Sequence, residues 1–137
     1  MGTGRIEGSC LCGGIRYEAS GPLTAVGRCH CRECRKASGA EYATNGAVER
    51  GSFRIVAGES LLGAFESSPG QERCFCTRCG SPILKRYADD PDNVRIRLGC
   101  VDTPIEEKPV VHVFVSEKLD LTEIDDGLPC FATRPGA

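Results

Sequence analysis

The sequence predicts a single, mainly β domain of antiparallel sheets, and three observations predict it. Short runs rich in β-branched residues recur along the 137 residues, several with period-two alternation. Glycines and prolines fall between those runs, as in GPL at Gly21, SSPG at Ser67 and DDPDN at Asp89, and mark turns. Ten cysteines, too many for core packing alone, cluster at spacings that converge on a point.

Taken in chain order, CLCGG at Cys10 is a turn that leads into a strand, IRYEA after Gly14. CRECRKASG from Cys31 has the one helical look in the chain, a short turn. FRIVAG from Phe53 and SPILKRYA from Ser81 read as strands, the latter following a second cysteine turn, FCTRCG. In NVRIRLG from Asn93, Val94, Ile96 and Leu98 share one face while Arg95 and Arg97 share the other. VVHVFVSE from Val110 reads as a buried strand. The domain is expected over residues 6–131, with 132–137 a loose C-terminal tail.

Composition narrows the class. The N-terminal MGTGRIEGSCLCGG has no apolar export segment, and no stretch is long and apolar enough for a membrane span. A cytoplasmic, reducing location is therefore expected, where clustered cysteines bind metal more often than each other. The formal net charge of −2 gives no electrostatic reason to bind nucleic acid. Seven thiolates add −7 and two divalent ions add +4, which leaves the loaded protein near −5.

The cysteines divide by spacing and by the residue that follows. Cys10 and Cys12 are closed by Gly13 and Gly14; Cys76 and Cys79 are closed by Gly80. Glycine after a ligand allows φ > 0 and turns backbone amides toward the sulfurs. Two such knuckles supply four thiolates, enough to close a structural zinc site that staples the first hairpin to a later one. Cys29, Cys31 and Cys34 form a C-x-C-x-x-C group followed by Arg35 instead of glycine. Three thiolates leave a tetrahedral ion with one open position, as in a site that does chemistry. An iron–sulfur cluster ordinarily takes four protein thiolates, so zinc is the better fit. Cys74 repeats the spacing with Cys76 and Cys79, but four ligands are already present and packing is the expected role. Cys100 and Cys130 lack neighbours and are expected to be buried. His30 lies between two ligands and is expected to face away from the metal, and His112 to be satisfied inside its strand.

These motifs resemble one family. C-x-C-G-G-[IV]-x-[YF] at Cys10, C-H-C-x-x-C-R-K-x-S-G at Cys29 and F-C-x-x-C-G at Phe75 are similar to the glutathione-dependent formaldehyde-activating enzymes, a family that includes centromere protein V-like proteins. RIRLGCVD at Arg95, the Pro109–Val115 segment with His112 and the ending DDGLPCF extend the match over Ile6 to Phe131. The resemblance implies a single-domain β-tent of small antiparallel sheets pinned by zinc. It implies two zinc ions per chain: a structural one on Cys10, Cys12, Cys76 and Cys79, and a catalytic one on Cys29, Cys31 and Cys34. Family members carry tryptophans near the His112 strand, where this chain has none and places Phe114 and Leu121.

The chemistry follows from the donor set. A zinc with three thiolates accepts a soft fourth ligand, and a substrate thiol bound there loses its proton and becomes a nucleophile. Attack on a small aldehyde such as formaldehyde gives an S-hydroxyalkyl adduct; the reverse step breaks a carbon–sulfur bond, which makes the expected activity a carbon–sulfur lyase. Glutathione is the expected thiol, with Arg35 and Lys36 as candidate contacts to its charge. The expected partners are a small-molecule thiol and an aldehyde, with no nucleic acid and no membrane. A zinc-stabilised protein-binding module and a thiol or metal sensor are the two alternatives.

Overall fold

The computed structural model describes residues 4–135, and within them the chain forms ten strands and one α-helix. Strands β1 (Arg5–Ser9), β2 (Arg16–Ser20) and β5 (Arg54–Ala57) make a three-stranded antiparallel sheet in the order β1-β2-β5. The other strands are β3 (Thr24–Cys29), β4 (Ala43–Glu49), β6 (Leu62–Ser68), β7 (Gln71–Cys76), β8 (Pro82–Tyr87), β9 (Asn93–Arg97) and β10 (His112–Val113). They form one seven-stranded sheet in the order β10-β3-β4-β9-β8-β7-β6. The helix α1 (Arg32–Ser38) is where the helical turn is expected, capped at its end by Gly39 at φ 66°.

The mainly β architecture is as expected, and the larger sheet refines it. Pairing of β4 with β9, Asn45 opposite Arg97 through Glu49 opposite Asn93, merges two antiparallel groups into one sheet. That contact joins segments some 50 residues apart, and short-range patterning carries no trace of such a partner. β10 adds a parallel pair, His112 beside Arg28. The expected strand from Val110 is much shorter than VVHVFVSE suggests. Phe114 takes φ 56° and breaks it after two residues, and Val110 is 60% exposed.

The seven-stranded sheet has two unlike faces. Leu84, Ile96, Val94, Val48 and Val26 pack in the core against Ile6, Ile15 and Tyr17 of the smaller sheet's side. Each such side chain contributes roughly 1.5–3 kcal/mol by leaving water. Tyr17, 1% exposed, fixes a neighbour: a Cβ on Gly8 would lie 2.2 Å from its ring, so only glycine fits there. The opposite face follows from register. Arg73 is opposite Lys85, Lys85 opposite Arg95, Arg97 opposite Asn45, and Asn45 opposite Gly27, two residues from Cys29. One face is therefore apolar; the other carries cations and a cysteine.

Beyond Phe131 the chain is held to the body. The carbonyls of Ala132 and Thr133 accept hydrogen bonds from the amides of Ser116 (3.3 Å) and Phe114 (3.0 Å). The expected loose tail is thus tied through Thr133, while Gly136 and Ala137 lie outside the described residues, as do Met1 to Thr3.

Candidate metal centres

The two cysteine groups read from spacing are brought together as two separate clusters. Within each, the sulfur atoms all lie within 4.8 Å of one another. A tetrahedral ion with Zn–S bonds of about 2.3 Å sets its sulfurs about 3.8 Å apart. Cys10 to Cys12 is 3.5 Å and Cys12 to Cys76 is 3.8 Å, so the donor set fits such an ion without rearrangement.

The four-cysteine cluster joins the β1–β2 connection to the β7–β8 connection, and so one sheet to the other. Each connection is a knuckle of the expected kind. Gly13 and Gly80 take φ 76° and 80°, and their amides donate to the carbonyls of Cys10 (3.0 Å) and Cys76 (2.8 Å). The Ile15 amide donates to the Cys10 sulfur at 3.2 Å. Ser81 bridges the knuckles: its hydroxyl accepts from the Leu11 amide at 2.9 Å and lies 3.2 Å from the Cys79 sulfur. Partners of this kind favour thiolate. The Ser81 hydroxyl, then the Cys12 and Ser81 amides, hold the Cys79 thiol down to about 5. The Gly14 amide, with Arg78, lowers Cys12 as well.

The three-cysteine cluster is built differently. Cys29 ends β3, Cys31 is the N-cap of α1, and Cys34 is one turn into the helix, 1% exposed. As N-cap, the Cys31 sulfur accepts the Cys34 amide at 3.3 Å. Cys34 is the first of the three to ionise: the Cys29 and Cys31 thiols donate to it, and Lys85 and Arg97 add positive field against its burial. Cys29 is pushed up by Cys31 first and then Cys34, because three thiols this close cannot all ionise unaided. The cluster opens on a cavity of about 670 Å³, and all three cysteines line it.

Three buried cations, Arg73, Lys85 and Arg97, back this cluster at 8%, 5% and 4% exposure. The Arg73 guanidinium lies 3.7 and 3.8 Å from the Cys34 sulfur and 3.8 Å from Glu33. Both terminal nitrogens of Arg97 are buried without a hydrogen-bond partner among the described residues, as is the Asn45 carbonyl oxygen. A buried, unpaired guanidinium is costly, and a cluster of thiolates beside it offsets that cost. Sequence reading missed these residues. A signal is present only on β9, where Arg95 and Arg97 alternate with Val94 and Ile96, and alternation alone reads as a wet face; Arg73 on β7 and Lys85 on β8 lie in runs with no such pattern.

Arg35 and Lys36, the cations expected to meet substrate, do not line the cavity. They lie in the last turn of α1, rotated away from Cys34. Cys74 packs in the core, 1% exposed, and takes no part in either cluster. Cys100 donates to the Pro82 carbonyl at 3.1 Å, and Cys130 is exposed instead of buried because its segment runs along the surface.

Beside the cluster the two histidines form a buried chain. His30 Nε2 is 2.8 Å from His112 Nδ1, and His112 Nε2 is 2.7 Å from Asp126, which also meets Arg28 at 3.1 Å. His30 is fully buried and held below its ordinary value of 6.5, by burial first and then by His112. The unfolded chain takes up a proton near 6.5, which the folded chain resists. This contribution to stability is therefore present above pH 6.5 and is lost as pH falls below it. An NMR titration is expected to find the His30 ring neutral at about pH 6.5, with a midpoint lower still; a midpoint above that value would contradict the burial argument.

Fold and clusters together define a mainly β protein with two sets of cysteines that could hold a metal ion, one joining the two sheets and one facing a cavity. The glutathione-dependent formaldehyde-activating enzyme family model matches residues 5–117. A Halomonas elongata protein named for the same family is 32% identical over 141 aligned residues, spanning 95% of this chain and 88% of that protein. A Schizosaccharomyces pombe protein described as an uncharacterized lyase is 29% identical over 83 residues, 61% of this chain and 58% of its own. The crystal structure of a Rhodobacter sphaeroides protein superposes with a TM-score of 0.62 at 20% identity, covering 75% of this chain and 97% of that one, and so shares the fold. This chain belongs to the glutathione-dependent formaldehyde-activating enzyme family. Among the described residues no helix is long and apolar enough to cross a membrane.

Proposed function

We propose that the protein is a zinc-dependent carbon–sulfur lyase that forms or cleaves S-hydroxyalkyl adducts of glutathione, or a similar thiol, with a small aldehyde such as formaldehyde. The observation that carries this reading is the contrast between the clusters. Four sulfurs at Cys10, Cys12, Cys76 and Cys79 complete a coordination shell, whereas Cys29, Cys31 and Cys34 supply three on the wall of a cavity. Family membership supports both the thiol and the aldehyde.

Cys29, Cys31 and Cys34 would hold the zinc ion, which when bound would supply an acceptor for a thiol sulfur and favour the thiolate form. The chain's residues do the rest. Arg73 and the buried Lys85 and Arg97 place positive charge beside Cys34, which favours an anionic sulfur entering over a neutral water. α1 fixes Cys31 and Cys34 one turn apart, with the Ser38 hydroxyl donating to the Cys34 carbonyl at 2.7 Å to tighten its last turn. The cavity admits the aldehyde beside the sulfur. In the forward direction a carbon–sulfur bond forms, the carbonyl π bond breaks, and the thiol proton ends on the former carbonyl oxygen. In reverse that hydroxyl proton returns to sulfur and the aldehyde leaves.

The adduct also forms without a catalyst, so the test is a rate at equilibrium. Magnetisation exchange between free aldehyde and adduct is expected to run roughly tenfold faster with the wild type than with Cys34→Ser, a difference of about 1.4 kcal/mol in barrier. Equal rates across formaldehyde and several other small aldehydes would reject the reaction and leave a binding module or a thiol sensor in its place.

A further inference from the structure

The wall of the cavity away from α1 centres on Tyr87. Three cations lie over its ring: Lys85 Nζ at 4.6 Å from the centroid, the Arg95 guanidinium at 4.9 Å and the Arg134 guanidinium at 5.9 Å. All four side chains line the same cavity as Cys29, Cys31 and Cys34. A ring quadrupole attracts a cation but does not neutralise one, and three like charges around one ring repel.

Their partners are unequal. Arg95 is paired with Asp90 at 2.7 Å. The acids near α1 are engaged as well: Glu33 takes the Ser68 hydroxyl, with Arg73 beside it, and Glu117 accepts the Arg32 amide at 3.0 Å. Asp89 alone among the lining acids has neither a hydrogen bond nor an ion pair among the described residues. Lys85 and Arg134 remain. Neither has an ion pair among the described residues, and Lys85, a residue only 5% exposed, reaches the cavity with the Tyr87 ring and the charges of Cys34 and Glu33 near it but no direct ion-pair partner. Burying such a charge is unfavourable unless an anion arrives.

Arg134 comes from outside the family-matched residues 5–117. The Thr133 carbonyl anchors it by accepting the Phe114 amide, and Phe114 is the residue whose positive φ ends β10. That break turns the chain so that Phe114, Arg134 and Pro135 close one side of the cavity. A space of this size is in the range that holds a small peptide.

We propose that Lys85 and Arg134 grip a carboxylate of the thiol substrate against Tyr87, which makes this C-terminal segment part of the specificity site and selects thiols that carry a carboxylate within reach of the sulfur. The proposal rests on the reading that the substrate sulfur binds at Cys29, Cys31 and Cys34. A carboxylate between an ammonium and a guanidinium receives charge-assisted hydrogen bonds, and Lys85 gains a direct ion-pair partner.

Calorimetric titration of the metal-loaded protein with three ligands tests it. Glutathione has both groups; its diethyl ester keeps the thiol and masks the carboxylates; S-methylglutathione keeps the carboxylates and blocks the thiol. Glutathione is expected to bind about tenfold tighter than the ester. Arg134→Gln, at an exposed position that leaves folding alone, is expected to bring that ratio close to one and to weaken S-methylglutathione in parallel; Lys85→Met is expected to do the same. Equal affinities of the wild type for glutathione and ester, or a ratio unchanged in both variants, would overturn the carboxylate grip and leave thiol binding standing. S-methylglutathione binding as tightly as glutathione, and depending on Arg134, would instead overturn the thiol reading and keep the grip.

Discussion

Cys79→Ser protein is expected not to fold, whereas Cys31→Ser protein is expected to fold and to carry one metal equivalent fewer. The four-cysteine cluster ties the β1–β2 connection to the β7–β8 connection, and these belong to different sheets. Structural zinc contributes about 10–16 kcal/mol in small metal-dependent folds, while a whole domain is stable by only about 5–15 kcal/mol. Loss of one of the four ligands therefore removes more than the domain has to spare. Cys79 is a sensitive choice, because the Ser81 hydroxyl and two amides already hold its thiol as thiolate. The three-cysteine cluster is contained in β3 and α1, next to each other in sequence, and joins no sheet to another. Far-UV circular dichroism with metal analysis by mass spectrometry separates the two variants. An unfolded Cys31 variant beside a folded Cys79 variant would reverse the roles given to the clusters.

Gly58→Ala is expected to destabilise the domain by about 4 kcal/mol or more, among the largest effects of any single methyl group. Gly58 follows β5 with φ 77°, where an L side chain costs roughly 1–2 kcal/mol by itself. A Cβ there would also stand 2.0 Å from the Gly14 carbonyl oxygen and 3.0 Å from the Ile15 Cα. Both contacts are backbone, so no rotamer relieves them. Gly14 belongs to the first knuckle, and its amide helps lower the Cys12 thiol, so displacement spreads to the metal ligands. Gly39→Ala is the matched comparison: φ is 66° and nothing lies within 4 Å, which leaves only the backbone cost. Thermal unfolding should show a drop of about 15 °C for Gly58→Ala and a few degrees for Gly39→Ala. Similar midpoints for the two would mean that the β5 turn moves freely away from the knuckle.

The ligand groups were legible in the sequence because chelation and turn geometry are local. Two cysteines two or three residues apart and closed by glycine can do little but converge, and Gly13 and Gly80 adopt the positive φ that this requires. Alternation was legible for the same reason, as the apolar Val94 and Ile96 and the polar Arg95 and Arg97 lie on opposite faces of β9. What alternation does not encode is what covers each face. Arg97 is 4% exposed although its alternation reads as solvent-facing, and Lys85, in a run with no alternation, is 5% exposed. Arg35 and Lys36 are close to Cys34 in sequence, yet helical rotation turns them from the cavity, and Lys85, Arg95 and Arg134 reach it from 50 to 100 residues away.

By itself, then, the sequence determined the mainly β class, the division of seven cysteines into four and three, and the short helix that carries Cys34, because each depends on residues within a turn or a strand of one another. Only the tertiary structure decided that β4 pairs with β9 to unite seven strands, that Phe114 ends β10 and returns the chain past Arg134, and that three cations lie buried behind three thiols. Those outcomes depend on contacts between distant segments, where the free energy of burial and charge compensation is set by the partner and not by the local pattern.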